Sequence, residues 1–202
     1  MSLTCADGKI LFEGKRDLQF PDNQPTVEVT EGDFACVYFN GVDESAQLPP
    51  VSRSKGSLEL VVRMPSRRGC TVLDSSFQRL TLRKSRDQLE WAIVGGQNKD
   101  SVRQIEKRFN FKPWFHIMMT WKSGEDAILY VDGVEVDRFA YVHEQPHLAE
   151  FEKVVLGKSL GTGKKFFESR VYRMIVYDQV LPAAKVSELN QSIRKSHPFI
   201  FK

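Results

Sequence analysis

The sequence predicts an all-β protein, a two-sheet antiparallel β-sandwich of the jelly-roll kind with one short C-terminal helix. Three observations carry that expectation. Short runs with a hydrophobic period of two recur and are separated by turn residues, as antiparallel sheets with one buried face require. Asp132-Gly133 stands between LYV and VEV with the spacing of a two-residue hairpin, where glycine supplies positive φ. Helical spacing occurs in a single segment near the end.

In chain order, the alternating runs are Thr26 to Val29, Phe34 to Phe39, Ser57 to Arg63, Arg79 to Arg83 and Leu89 to Val94. They continue with Trp114 to Trp121, Ala127 to Val131, Val134 to Phe139, Lys153 to Leu156 and Arg170 to Tyr177. Gly95-Gly96 closes the strand that holds Trp91. Asp43 to Gly56, with Pro49-Pro50 and SRSKG, reads as an exposed loop. From Pro182 to Arg194, Val186, Leu189 and Ile193 share one helical face after a proline suited to a first turn, so a helix is expected there, packed on the sandwich edge. HPFIFK then adds a short apolar tail against the body. No repeat or linker divides the chain, and residues 1–202 are expected to form one domain.

Within HIMMTWKS (116 to 123), a period of two puts Ile117, Met119 and Trp121 on one face and His116, Met118 and Thr120 on the other. A sheet centre fits this pattern. A soft-metal site would need a second cluster of His, Cys or Met, and His143, His147 and His197 lie in polar or terminal stretches.

Composition narrows the function classes. Of 202 residues, 41% are hydrophobic and 11% aromatic, enough for a sizeable core. Lys and Arg number 29 against 26 Asp and Glu, a balance that gives no reason to expect a nucleic-acid partner. No run is long and apolar enough to span a membrane, and the first residues lack an apolar leader core. Cys5, Cys36 and Cys70 are widely spaced, so free thiols are expected in place of a disulfide framework or zinc site. These last two features lean towards an intracellular setting without fixing one. The sequon Asn190-Gln191-Ser192 falls on the expected helix and is read as chance.

The run His116-x-x-x-Thr120-Trp121-x-Ser123 resembles the pentraxin signature, with Met118 where that family has cysteine. Similarity continues through LYVDGVEV (129 to 136), VVLG (154 to 157) and FFESRVYRMIVYDQVLPAAKVSEL (166 to 189), and extends to the wider laminin G-like group with its concanavalin A-like sandwich. It covers roughly residues 57 to 195. The resemblance implies a bridge from position 118 to a partner near Leu60 or Val61; all three are apolar here, so packing is expected to replace it.

The resemblance also places the family's calcium ligands at Phe77-Gln78 and near Ser159-Leu160-Gly161. Calcium needs several oxygen ligands, which Phe, Leu and Gly side chains do not supply, and Lys158, Lys164 and Lys165 would repel it. No metal or cofactor is therefore expected. Related glucanases carry Glu-x-Asp-x-Glu or Glu-x-Asp-x-x-Glu on one strand. Glu135-Val136-Asp137 begins that way but lacks the second glutamate. No Gly-x-Ser-x-Gly motif is expected, and GTGKK (161 to 165) lacks the spacing of a complete phosphate loop.

The segment left over is RLTLRKSR (79 to 86), with Arg79, Thr81 and Arg83 on one face and Leu80 and Leu82 on the other. By the resemblance it lies beside the missing calcium pair. The expected ligand-binding residues are Gln78, Arg79, Thr81, Arg83, Lys158 and Lys164. The expected function is a non-catalytic, calcium-independent module that recognises an anionic glycan, lipid head group or protein. The rival readings are a structural module that self-associates through the helix and the FIF tail, and a divergent glycoside hydrolase.

Overall fold

A computed structural model describes residues 2–6, 9–13, 25–30, 34–48, 50–64, 69–95, 103–105, 109, 114–144, 147–161 and 168–198. Its strands are β1 (Ser2–Ala6), β2 (Lys9–Glu13), β3 (Thr26–Thr30), β4 (Phe34–Asn40), β5 (Ala46–Gln47), β6 (Val51–Ser52), β7 (Lys55–Arg63), β8 (Cys70–Asp74) and β9 (Leu80–Ser85). They continue as β10 (Gln88–Ile93), β11 (Arg103–Gln104), β12 (Phe115–Lys122), β13 (Glu125–Val131), β14 (Val134–Tyr141), β15 (Glu150–Phe151), β16 (Val155–Leu156) and β17 (Glu168–Tyr177). Helix α1 (Ala183–Ser196) follows.

One sheet runs β14-β13-β12-β7-β17. The far edge of β17 is shared between β4, which continues to β3, and β1, which continues to β2. The second sheet runs β11-β10-β9-β8-β16-β5, and β15 pairs with β6 at one end. Leu58, Leu60, Ile117, Met119, Trp121 and Leu129 of the first sheet meet Leu73, Leu80, Leu82, Leu89 and Trp91 of the second in one apolar core. Each such side chain contributes about 1.5–3 kcal/mol on burial.

All ten expected strands are present. The expected loop from Asp43 to Gly56 is not: Ala46, Leu48 and Val51 are buried, and their segment pairs with residues 149–156 through Leu48 N to Val154 O (2.8 Å) and Arg53 N to Ala149 O (2.9 Å). Apolar residues spaced along it outweigh the turn propensity of its prolines.

Strand β12 answers the question raised by HIMMTWKS. Ile117, Met119 and Trp121 face the sandwich core, while Met118 points outward to Tyr130, Leu181 and Val186 under the helix. Helix α1 thus packs on the outer face of the larger sheet and not on the sandwich edge, because Val61, Trp114, Met118 and Tyr130 there are apolar. The cross-strand partner of Met118 is Glu59, not Leu60 or Val61 as the resemblance implied. Leu60 faces inward, one residue out of phase.

Outward burial also encloses a charge. Glu59 is fully buried, with one carboxylate oxygen 3.3 Å from His116 Nε2 and 3.2 Å from Arg173 Nε, and the other accepting the Tyr177 hydroxyl at 2.5 Å. Burial alone would push its pKa up, but His116, Arg173 and Tyr177 together hold it below the ordinary value.

The Asp132-Gly133 hairpin forms as expected, with φ of 54° and 78°. Helix α1 locks it: Asn190 Nδ2 donates to Asp132 O at 2.8 Å, and Arg194 Nη2 lies 3.2 Å from Asp132 Oδ1. A Cβ on Gly133 would stand 2.9 Å from Asn190 Nδ2. The sequon asparagine is thereby committed to a structural hydrogen bond.

Two outcomes follow for urea unfolding. Met118→Ala is expected to cost about 2–5 kcal/mol through the cavity left beneath the helix. Glu59 has a folded pKa below its unfolded one, so its contribution is present above the unfolded value near 4.5 and is lost as pH falls through the lower folded value. Glu59→Gln is expected to cost roughly 3 kcal/mol or more at pH 7 and to flatten the acid-side decline of stability.

Candidate functional site

Strand β9 puts Leu80 and Leu82 into the core, as alternation requires. Thr81 is also fully buried, with its hydroxyl 3.0 Å from Asp74 Oδ1 and 3.1 Å from Leu73 O. It is therefore not an exposed ligand contact; the Asp74 side chain, which also holds Ser159 and Leu160, lies against it. Arg83 is half-buried and sits in register opposite Glu90 on β10 and Thr71 on β8, so its charge has an acidic neighbour. Lys84 lies inward and buried, opposite Cys70. Burial lowers the lysine pKa and pushes the thiol up to about 12.

Arg79 precedes the strand and stacks its guanidinium over the Phe77 ring, 5.3 Å from the centroid. Phe77 is 68% exposed and holds φ of 61°, a left-handed conformation rare for a bulky residue. Lys158 lies between Gly157, whose N–H donates to Val72 O at 3.0 Å, and Ser159, whose hydroxyl reaches Asp74. Arg79 lies at the other end of β9 from Arg83, roughly 13 Å along the strand. The two arginines thus stand in two places. The side chain of Gln78 and the whole of Lys164 lie outside the described residues.

Asp74, which the sequence did not single out, organises this end of the sheet. Oδ1 accepts from Ser75 N (3.0 Å) and Thr81, and Oδ2 accepts from Ser159 Oγ (3.1 Å) and Leu160 N (3.0 Å). This carboxylate, close to the segments that the resemblance compared with a calcium site, accepts four hydrogen bonds within the protein. Among the described residues, no group of three or more His, Cys, Asp or Glu is arranged to hold a metal. Gly157-Lys158-Ser159-Leu160-Gly161 does spell Gly-x-Ser-x-Gly, contrary to expectation, but its setting is not a nucleophile elbow. Ser159 lies in a loop after the two-residue β16 and gives its hydroxyl to Asp74.

The carboxylates of β14 are equally committed. Asp137 accepts Trp91 Nε1 at 2.9 Å and Arg103 Nε at 2.8 Å. Burial would raise its pKa, but Arg103 and Trp91 hold it lowered. Arg138 grips Glu135 at 2.6 Å through two nitrogens and keeps that carboxyl below its ordinary value as well. A glycosidase needs one carboxyl raised to act as an acid; both are shifted the other way.

Arg53 also escaped the sequence reading, since SRSKG looks like a solvated turn. It is fully buried, and its Nη2 donates to Gly95 O at 3.0 Å and Val94 O at 3.3 Å. Gly95 is required here because a Cβ would stand 1.7 Å from Val142 O.

Removing the Asp74 carboxylate strands three donors, Ser75 N, Ser159 Oγ and Leu160 N, while Thr81 keeps Leu73 O. Asp74→Ala is expected to lower stability by about 3 kcal/mol and to speed hydrogen exchange at the Leu160 amide at least tenfold over parent, read by NMR.

Solved structures with this fold include the binding domain of Paraclostridial Mosquitocidal Protein 1, at TM-score 0.70 and 16% identity over 95% of this chain and 51% of that one. The binding domain of botulinum neurotoxin DC, solved in complex with rat synaptotagmin II, gives 0.67 and 12% over 95% and 51%. Botulinum neurotoxin type C, whose cell entry depends on interaction with two ganglioside molecules, gives 0.68 and 12% over 95% and 50%. The chain spans about half the length of these structures, and identity this low shows a common fold alone. No curated protein matches it in sequence. The laminin G-like family described as the concanavalin A-like lectin/glucanases superfamily matches residues 40–187, and the chain belongs to that family.

Proposed function

We propose that the protein is a non-catalytic recognition module of pentraxin-like character, a single domain over residues 1–202 that works without calcium at the pentraxin-type site. Its ligand is an anionic glycan, lipid head group or protein surface, met by Arg79, Arg83 and Lys158, with Gln78 and Lys164 on the flanking segments. The observation that carries this reading is the guanidinium of Arg79 lying on the exposed, left-handed Phe77. A strained aromatic residue kept at the surface under a cation is costly for folding and useful for recognition.

Two further points support it. The carboxylates on β14 are held ionised by Arg103, Trp91 and Arg138, which disfavours hydrolysis. Proteins of the same fold include a binding domain solved in complex with synaptotagmin and a neurotoxin whose cell entry depends on gangliosides. Self-assembly through α1 is the weaker reading, because Val186 and Ile193 already spend the apolar face of that helix on the sheet. The FIF tail lies outside the described residues.

On a heparin column, the double variant Arg79→Ala with Arg83→Ala is expected to elute at clearly lower salt than the parent, with a shallower dependence on ionic strength. Unchanged retention would overturn the proposal.

A further inference from the structure

Burying a guanidinium is costly unless its donors are met, and those of Arg53 are met only in part. Nη2 reaches two backbone carbonyls, and the Phe151 ring lies 5.7 Å from the guanidinium carbon. Nε and Nη1 are buried and make no hydrogen bond of good geometry, although the Tyr141 hydroxyl, which donates to Arg53 O, and the Glu152 carboxylate both act favourably on the charge. A guanidinium stays charged across the physiological range, so the unmet donors cannot be relieved by losing a proton.

The second cation stands close by. Arg79 O accepts the Val94 N–H at 2.7 Å, and Val94 O is one of the carbonyls that Arg53 faces. The two arginines therefore flank the same end of β10, and burial together with the positive charge of Arg79 lowers the pKa of Arg53. Glu152 offsets these two like charges only in part, and with donors of Arg53 still unmet the arrangement suits a further negative group beside them.

We propose that Arg53 and Arg79 form a site for a single oxyanion group, with the exposed Phe77 ring alongside to take the sugar or apolar face of the molecule that carries it. Sulfate, phosphate and carboxylate share the chemistry required. The site deepens the reading above, on which it rests for Arg79 and Phe77, and adds Arg53 as the buried anchor.

The test is calorimetric titration of the full chain with inorganic sulfate, inorganic phosphate and acetate, each against sodium chloride at matched ionic strength. Saturable binding of at least one ion is expected, weakened about tenfold or more in Arg79→Ala. Arg53→Gln should abolish it; if that variant does not fold, Arg53→Lys, which keeps the charge and loses the planar fork, should weaken it. A sulfated monosaccharide, glycerol phosphate and a sugar acid then separate the sources, and Phe77→Ala should weaken the preferred one while leaving the bare ion unaffected. Absence of saturable binding to the parent, or equal binding by parent and Arg79→Ala, overturns the proposal. Loss of heparin retention in the Arg79 and Arg83 double variant alongside no small-ion binding would remove this site and leave the broader function standing. Small-ion binding with unchanged heparin retention would do the reverse.

Discussion

Strands β7 and β12 have no solvent side along most of their length, and much of the molecule follows from that constraint. Their inner residues need the second sheet; their outer residues, Val61, Met118 and their neighbours, need a cover of comparable area. A strand pair alone cannot supply it. Helix α1 does, and in doing so it fixes the Asp132-Gly133 hairpin through Asn190 and Arg194. Glu59, trapped beneath this cover, stays ionised because three side chains converge on it. Apolar packing and a buried ionic network therefore act on the same two strands from opposite faces.

The same economy shapes the smaller sheet's end. A cation-binding surface needs oxygen atoms pointing outward, whereas here the oxygens of Asp74 turn inward to hold the loop after β16 against the start of β9. Carboxylates are used as internal fasteners, and the outward charge belongs to arginines. Arginine side chains do not titrate in the physiological range, so the anion binding proposed for this surface requires no bound ion.

The parts of this arrangement legible in the sequence are those written in alternation. The ten runs, the Asp-Gly turn and the helix phase were readable because each residue type reports a face or a dihedral angle. β8 was not, since all five residues of CTVLD are buried and no alternation marks it. The helix was placed on the wrong surface because one strand's outward residues say only that a cover exists, not what provides it. Thr81 had the right phase for solvent yet is enclosed by Asp74, seven positions away on β8 and invisible to local patterning. Arg53 was lost for a related reason: serine, lysine and glycine around it signal water, whereas long-range pairing with residues 149–151 carries it inside.

Strand β14 closes one rim of the larger sheet, and an unprotected rim of backbone donors and acceptors invites further strands from other molecules. Glu135, Asp137 and Arg138, tied to one another and to Asp126 and Arg103, line that rim with fixed charges of both signs. A docking strand would have to break or bury these pairs before gaining any ladder hydrogen bond. That edge is thus shielded against the addition of a further strand.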